Sequence, residues 1–397
     1  MFTIASTVQG SVPQALAPRE LQLSLFLASQ LGHVDVLRAL VVAGVAVGEA
    51  RDNNNNTPLY VAVANNQPQA AQVLAAAART VINTPGGARN TPVHEAARLG
   101  HEECLHVLLE HGTNVDSRDS SGNTPLILAV RHKRYSAIKA LLEAGCDVDV
   151  KDNHGRTALH YACHTATAVP LLLTAGADVN VRDKEGCVPL MMAATEGLSH
   201  VVRLLSGTGR CDVNLALPES RRTPLHLLAY KGHAACIPDL IAAGADINLY
   251  DGEERTALWY AVSNGRVDVV KLLLRANSQA DTFRCPHHLP PAACPIRMAL
   301  TKGLVDVIKL FILTGYDSDH LRDCLSQSEA ITLFEQAGLQ HWLLYARDVM
   351  SLRSTCRKWI RHHLGYHLYQ HLQQLPVPPA IRDYLFLAEL DDAHDHD

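Results

Sequence analysis

Twenty-two histidines and ten cysteines in a chain of 397 residues invite a metal or catalytic reading. The densest group, Cys285, His287, His288 and Cys294, contains zinc-type ligands. Its spacing matches no usual closed site, and the prolines between its members make a stiff loop, so no metal is assigned. His94, His160 and His226 each stand three residues after a threonine, in "TPVH", "TALH" and "TPLH". His33, His101 and His233 each follow a glycine. No GxGxxG, P-loop, nucleophile elbow or HExxH is present. Nothing brings a base, a nucleophile and oxyanion donors together. The chain is read as non-catalytic and free of cofactors, and the terminal "DDAHDHD" as a solvated tail.

A different kind of chemistry stands near the C-terminus. In "SLRSTCRKWIRHHLG", Leu352, Cys356, Ile360 and Leu364 fall at steps of four and line one face of a helix. Arg353, Arg357, Lys358 and Arg361 occupy the other side. A thiol at the centre of an apolar stripe behaves as a small hydrophobe. The bland reading is a capping helix packed on whatever precedes it.

Composition narrows the classes. A hydrophobic share of 47% suits a core-forming protein, and an aromatic share of 5% leaves that core to Leu, Val and Ala. A net charge of -5 gives no reason to expect nucleic acid, which needs a basic face. The run Ala39 to Gly48 is too short for a bilayer, which takes about 20 residues, so no membrane insertion is expected. The start "MFTIASTVQGSVPQALAP" lacks a basic leading segment, so no secretory signal is expected. Ten scattered cysteines without a CxxC pair read as reduced and mostly buried. A cytoplasmic location is expected, with the nucleus as an additional compartment.

The elements are set by a repeat. "TPVHEAARLGHEECLHVLLEHGTNVD", "TPLILAVRHKRYSAIKALLEAGCDVD" and "TPLHLLAYKGHAACIPDLIAAGADIN" are versions of one unit. Its first position recurs at Leu23, Thr57, Thr91, Thr124, Thr157, Val188, Thr223, Thr256 and Cys294, with steps of 34, 34, 33, 33, 31, 35, 33 and 38. Proline at the first helical position leaves no N–H unpaired and presets φ. Gly100, Gly197, Gly232 and Gly265 let the chain reverse after the first helix, and Gly112, Gly145, Gly176 and Gly244 after the second. One such unit cannot bury its apolar faces alone, so the units must stack. The TPLH, LLL and GADVN elements resemble the ankyrin repeat. That resemblance implies about nine repeats in an all-α solenoid, with the TPLH histidine structural, bonding loop backbone and the threonine hydroxyl. The irregularities are a short fifth repeat with Pro170 near its second helix, a longer "SGTGRCDVN" turn in the sixth, and the insertion "FRCPHHLPPAACP" before the ninth. Such a surface is expected to bind a folded protein through its hairpin tips. Candidate contacts are Asn123, Asn153, His154, Arg156, Lys184, Glu185, Arg222 and Arg255.

The tail extends the resemblance. The sequence S-L-x-x-x-C-x-x-x-I at Ser351 to Ile360 is similar to an elongin C-binding box, and Leu375-Pro376-Val377-Pro378 to a cullin-5 box of the LPLP type. Repeats and boxes together resemble the ankyrin repeat and SOCS box family. This implies that Leu352, Cys356 and Ile360 dock elongin C with its partner elongin B. Leu375, Pro376, Val377 and Pro378 would dock cullin-5 with its RING partner. Val377 replaces the usual third-position Leu, a modest loss of volume. The expected divisions are 1–22, a poorly ordered N-terminal segment; 23–316, ankyrin repeats; 317–348, a helical cap; 349–390, a small helical SOCS box; and 391–397, an acidic tail. The implied function is the substrate-recognition subunit of a ubiquitin ligase, holding an unidentified target protein. The alternative is an ankyrin scaffold or stoichiometric inhibitor whose C-terminal helices only cap the solenoid.

Overall fold

Helices begin where the sequence places its recurring threonine. Thr57, Thr124 and Thr256 have extended backbones, and their hydroxyls accept from the N–H groups of Tyr60, Ile127 and Trp259 at 3.1, 3.3 and 3.4 Å. Where histidine stands three residues on, the cap closes twice. The Thr91, Thr157 and Thr223 N–H groups donate to Nδ1 of His94, His160 and His226, while each histidine N–H reaches the threonine hydroxyl. Such a cap contributes about 1 kcal/mol. Val188 opens its helix without one.

The computed structural model describes residues 18–163, 168–276, 294–314 and 331–332. It is helical, with no strand among these residues. The chain divides into two units, Met1–Lys184 and Glu185–Asp397. The first holds the pairs α1 (Pro18–Leu31) and α2 (Val34–Val42), α3 (Pro58–Ala64) and α4 (Pro68–Ala77), α5 (Pro92–Leu99) and α6 (Glu102–Glu110), α7 (Pro125–Arg131) and α8 (Tyr135–Glu143), and α9 (Ala158–Ala162) and α10 (Val169–Thr174). The second holds α11 (Pro189–Glu196) and α12 (Ser199–Ser206), α13 (Pro224–Lys231) and α14 (Ile237–Ala242), α15 (Ala257–Ser263) and α16 (Val267–Arg275), and α17 (Pro295–Thr301) and α18 (Val305–Thr314).

Within each unit the first helices pack on one another in order, and so do α2, α4, α6 and α8 in the first unit and α12, α14, α16 and α18 in the second. The core lies between these rows. Leu59, Leu74, Leu105, Leu108 and Ile138 are fully buried in the first unit, and Leu190, Leu205, Leu240, Leu273 and Phe311 in the second. Each buried side chain of this size contributes about 1.5–3 kcal/mol, which only a neighbouring pair makes available. Histidine ties the pairs together. With Nδ1 accepting at the cap, His94 and His226 donate from Nε2 to the carbonyls of Asn123 and Arg255 in the next hairpin, both at 3.1 Å. Gly100 ends α5 at φ +79°, and a Cβ there would stand 2.8 Å from the Arg134 side chain. Glycine suits both the conformation and the space.

The first helix opens at Pro18, so residues 18–22 are helical and the boundary expected at 22 falls within α1. The short α9 and Pro170 in the first turn of α10 mark the expected irregularity of the fifth repeat. Of the insertion before the ninth repeat, Cys285, His287 and His288 lie outside the described residues, while Cys294 is buried ahead of α17. In the expected cap, Ile331 and Thr332 are helical, with Ile331 exposed; the remainder lies outside the described residues.

Candidate protein-binding surfaces

Several hairpins are organised by an aspartate that the sequence reading passed over. Oδ1 of Asp119 accepts from the N–H groups of Ser121 and Asn123, both at 2.8 Å. Asp152 does the same for His154 and Arg156 at 2.7 and 2.9 Å, and Asp251 for Glu253 and Arg255 at 2.8 and 2.9 Å. This is an Asx turn, and it fixes where the tip side chains can point. The other carboxylate oxygen reaches forward: the Tyr161 and Tyr260 hydroxyls donate to Oδ2 of Asp152 and Asp251, each at 2.6 Å. Burial works against these charged carboxylates. The tyrosine hydroxyl and two backbone N–H groups outweigh it and hold both aspartates below the usual range. Burial, then the bond to Asp152, pushes Tyr161 up to about 12. "D-x-x-G-x-T", as in "DSSGNT" and "DNHGRT", was the available signal.

The eight candidate tip residues separate into different environments. Asn123 is not a surface contact: it is 3% exposed, because its amide donates to Asp119 Oδ2 at 2.9 Å and its carbonyl accepts from His94. Asn153 and His154 are exposed, though Asn153 Nδ2 donates to the Ser120 carbonyl. Lys184 and Glu185 are exposed as well. The arginines are held on the protein itself. Arg156 pairs with the buried Asp183 at 3.1 Å. Arg222 lies 4.9 Å from the Tyr260 ring centre and 3.8 Å from Asp251. Arg255 stacks on Trp259 at 4.2 Å and pairs with Glu253. Tyr230, 45% exposed, meets the Tyr260 ring edge-on. Arg222 and Arg255 thus cover the buried Tyr260 and Trp259 rings on α15, and Tyr230 on α13 is the exposed aromatic of this group. Sequence reasoning missed this aromatic packing beneath the arginines. The visible signal was Trp259 in the place of the recurring histidine.

Among the described residues no group of three or more metal-ligating side chains comes together, and no helix is long and apolar enough to cross a membrane. The seven described cysteines are free thiols, five of them buried. Burial raises Cys104 to about 11 and Cys146 to about 12, so both stay protonated. Leu352, Cys356, Ile360, Leu375, Pro376, Val377 and Pro378 all lie outside the described residues.

Family models match most of the chain. Those for ankyrin repeats cover residues 25–75, 77–152, 144–216 and 190–284, and the model for the SOCS box covers residues 348–385. The chain belongs to the ankyrin repeat and SOCS box family. Ankyrin repeat and SOCS box protein 14 of Mus musculus is 31% identical over 137 residues, which is 32% of this chain and 22% of that protein. Ankyrin repeat and SOCS box protein 11 of Pongo abelii is 29% identical over 164 residues, 41% of this chain and 48% of that protein. The chain thus spans half or less of the relatives it matches. The crystal structure of the ankyrin repeat domain of Bcl-3 is similar over 51% of this chain and 92% of that one, with 30% identity and a TM-score of 0.48. As a family member, the chain is an all-α ankyrin-repeat solenoid followed by a SOCS box.

Proposed function

We propose that this protein is the substrate-recognition subunit of a cullin–RING ubiquitin ligase built on elongin B, elongin C and cullin-5. The observation that carries the reading is a SOCS box match at residues 348–385 in the same chain as a stack of ankyrin repeats. Leu352, Cys356 and Ile360 fall inside the matched span, at the steps that put them on one helix face. Leu352 serves as the apolar anchor on elongin C. Cys356, one turn along, is small enough to lie flat against the partner, where Leu would overfill and Ser would bring an unsatisfied hydroxyl. Pro376 and Pro378 hold the second box extended and lower the entropic cost of docking cullin-5.

The chain acts without chemistry of its own. It raises the effective concentration of target lysines near the charged ubiquitin-conjugating enzyme, so its contribution is proximity. The target is a protein seated on the repeats, and the site of action is the cytoplasm, where a set of free thiols is stable.

Reconstitution with elongin B/C, cullin-5 and its RING partner tests the division of the boxes. Pro376→Ala with Pro378→Ala should weaken cullin capture by about tenfold and leave elongin capture unchanged. Loss of both captures together would show that the two segments do not act as separate docking sites.

A further inference from the structure

The turn joining the two helices of each repeat needs a left-handed residue. Seven of the eight described turns supply one of the two types that tolerate it: Gly32, Asn66, Gly100, Gly197, Gly232, Gly265 and Gly303, all at positive φ. The fourth repeat has Lys133 there, at φ +57°. A lysine in this conformation is strained, and strain that persists where glycine would relieve it points to a use for the side chain.

Its neighbours give that use a chemistry. Arg131, His132, Lys133 and Arg134 are consecutive and all exposed. Arg98 of the preceding repeat stands beside them, since Arg134 Nε donates to its carbonyl at 3.2 Å. The Arg98 guanidinium is already engaged, with Nε 3.1 Å from Oε2 of the buried Glu95. Arg131, Lys133 and Arg134 have no carboxylate at ion-pair distance among the described residues. Two of them are nonetheless held in place: Arg131 lies 5.2 Å from the Tyr161 ring centre and bonds Asn123 Oδ1, and Arg134 crosses Gly100. Among the described residues, the one carboxylate acting on this turn is Glu95, which Arg98 already engages, so positive charge predominates. Partial burial, then Arg98, Arg131 and Arg134, hold the His132 imidazole below its ordinary range.

We propose that Arg131, Lys133 and Arg134, on the turn between α7 and α8, form a docking site for an acidic peptide segment. Two anchored arginines and the Lys133 ammonium on one turn fit the carboxylates of an extended Asp/Glu-rich run. Nucleic acid fits less well, because the patch is one turn wide on a chain whose net charge is -5. The inference deepens the adaptor reading by naming the chemistry of the target. It rests on that reading only for the identity of the occupant as a target, because the patch can be assayed without any ligase component.

The test titrates the full chain with fluorescent octaglutamate, octaglutamine and a single-stranded oligonucleotide of equal charge to octaglutamate, at two salt concentrations. The parent should bind octaglutamate, weaken as salt rises, and ignore octaglutamine. Lys133→Gly is the decisive variant. It should raise the melting temperature by about 2 °C, by releasing backbone strain, while lowering octaglutamate affinity several-fold. Arg131→Gln with Arg134→Gln should lower affinity by about tenfold without loss of helix content. Stability and binding moving in opposite directions is a pattern that a merely structural lysine does not produce. Unchanged octaglutamate affinity in Lys133→Gly, or binding of the oligonucleotide in preference to octaglutamate, overturns the proposal. Elongin capture measured on the same variants stays at the parental level, so failure here and failure of the adaptor reading are told apart.

Discussion

His94 and His226 each close a helix cap with Nδ1 and reach the next hairpin with Nε2, so the fold uses both ring nitrogens and requires the neutral imidazole. Burial, opposed by those hydrogen bonds, lowers the pKa of both. The unfolded chain therefore binds more protons than the native one once pH drops below about 6.5. Stability from these residues is present above that value and is lost as pH falls through it. Thermal melts should show a falling midpoint from about pH 7.5 to about pH 5.5, with a shallower slope for His94→Asn with His226→Asn. A parental slope in the double variant would mean that other groups carry the acid sensitivity. At this scale the sequence was half legible. The histidines announced themselves by their fixed place after threonine, whereas Asn123 and Asn153 look alike in the sequence and only the fold separates the buried one from the exposed one.

The helix and its hairpin are the next scale. Threonine, proline and glycine at fixed steps told where each helix starts and reverses, because capping and left-handed turns depend on local residue type. The couplings between hairpin and following helix were hidden, since Asp152 to Tyr161 and Asp251 to Tyr260 depend on which way each side chain leaves its turn. The same holds for Arg222 on Tyr260 and Arg255 on Trp259, which turn expected target contacts into inter-element packing. α11 is one of the elements that depart from the rule: its N-cap is Val188, which is buried and offers no hydroxyl to the helix N-terminus. Val188→Thr keeps the volume and supplies the missing acceptor. Denaturant unfolding should show a gain of about 1 kcal/mol, and a loss would mean that the buried hydroxyl is left unpaired there.

At the scale of the whole molecule, the proposed function gives recognition and recruitment to different parts of one chain. The repeats expose cations, aromatics and hairpin tips, and the SOCS box match begins at residue 348, after the last of the helix pairs. The repeat period was readable over the whole solenoid because stacking demands it of every unit. Which surface a target touches was not readable, because that depends on charges left unpaired after folding, as at Arg131, Lys133 and Arg134. The claim on which the account turns is that Leu352 and Cys356 face outward to another protein. Calorimetric titration of elongin B/C into the full chain measures this directly, with Leu352→Asp plus Cys356→Asp as the comparison. A one-to-one complex that weakens by about a hundredfold or more in the double variant, with the helical spectrum of the repeats unchanged, is the predicted result. Equal affinity in parent and variant would contradict it.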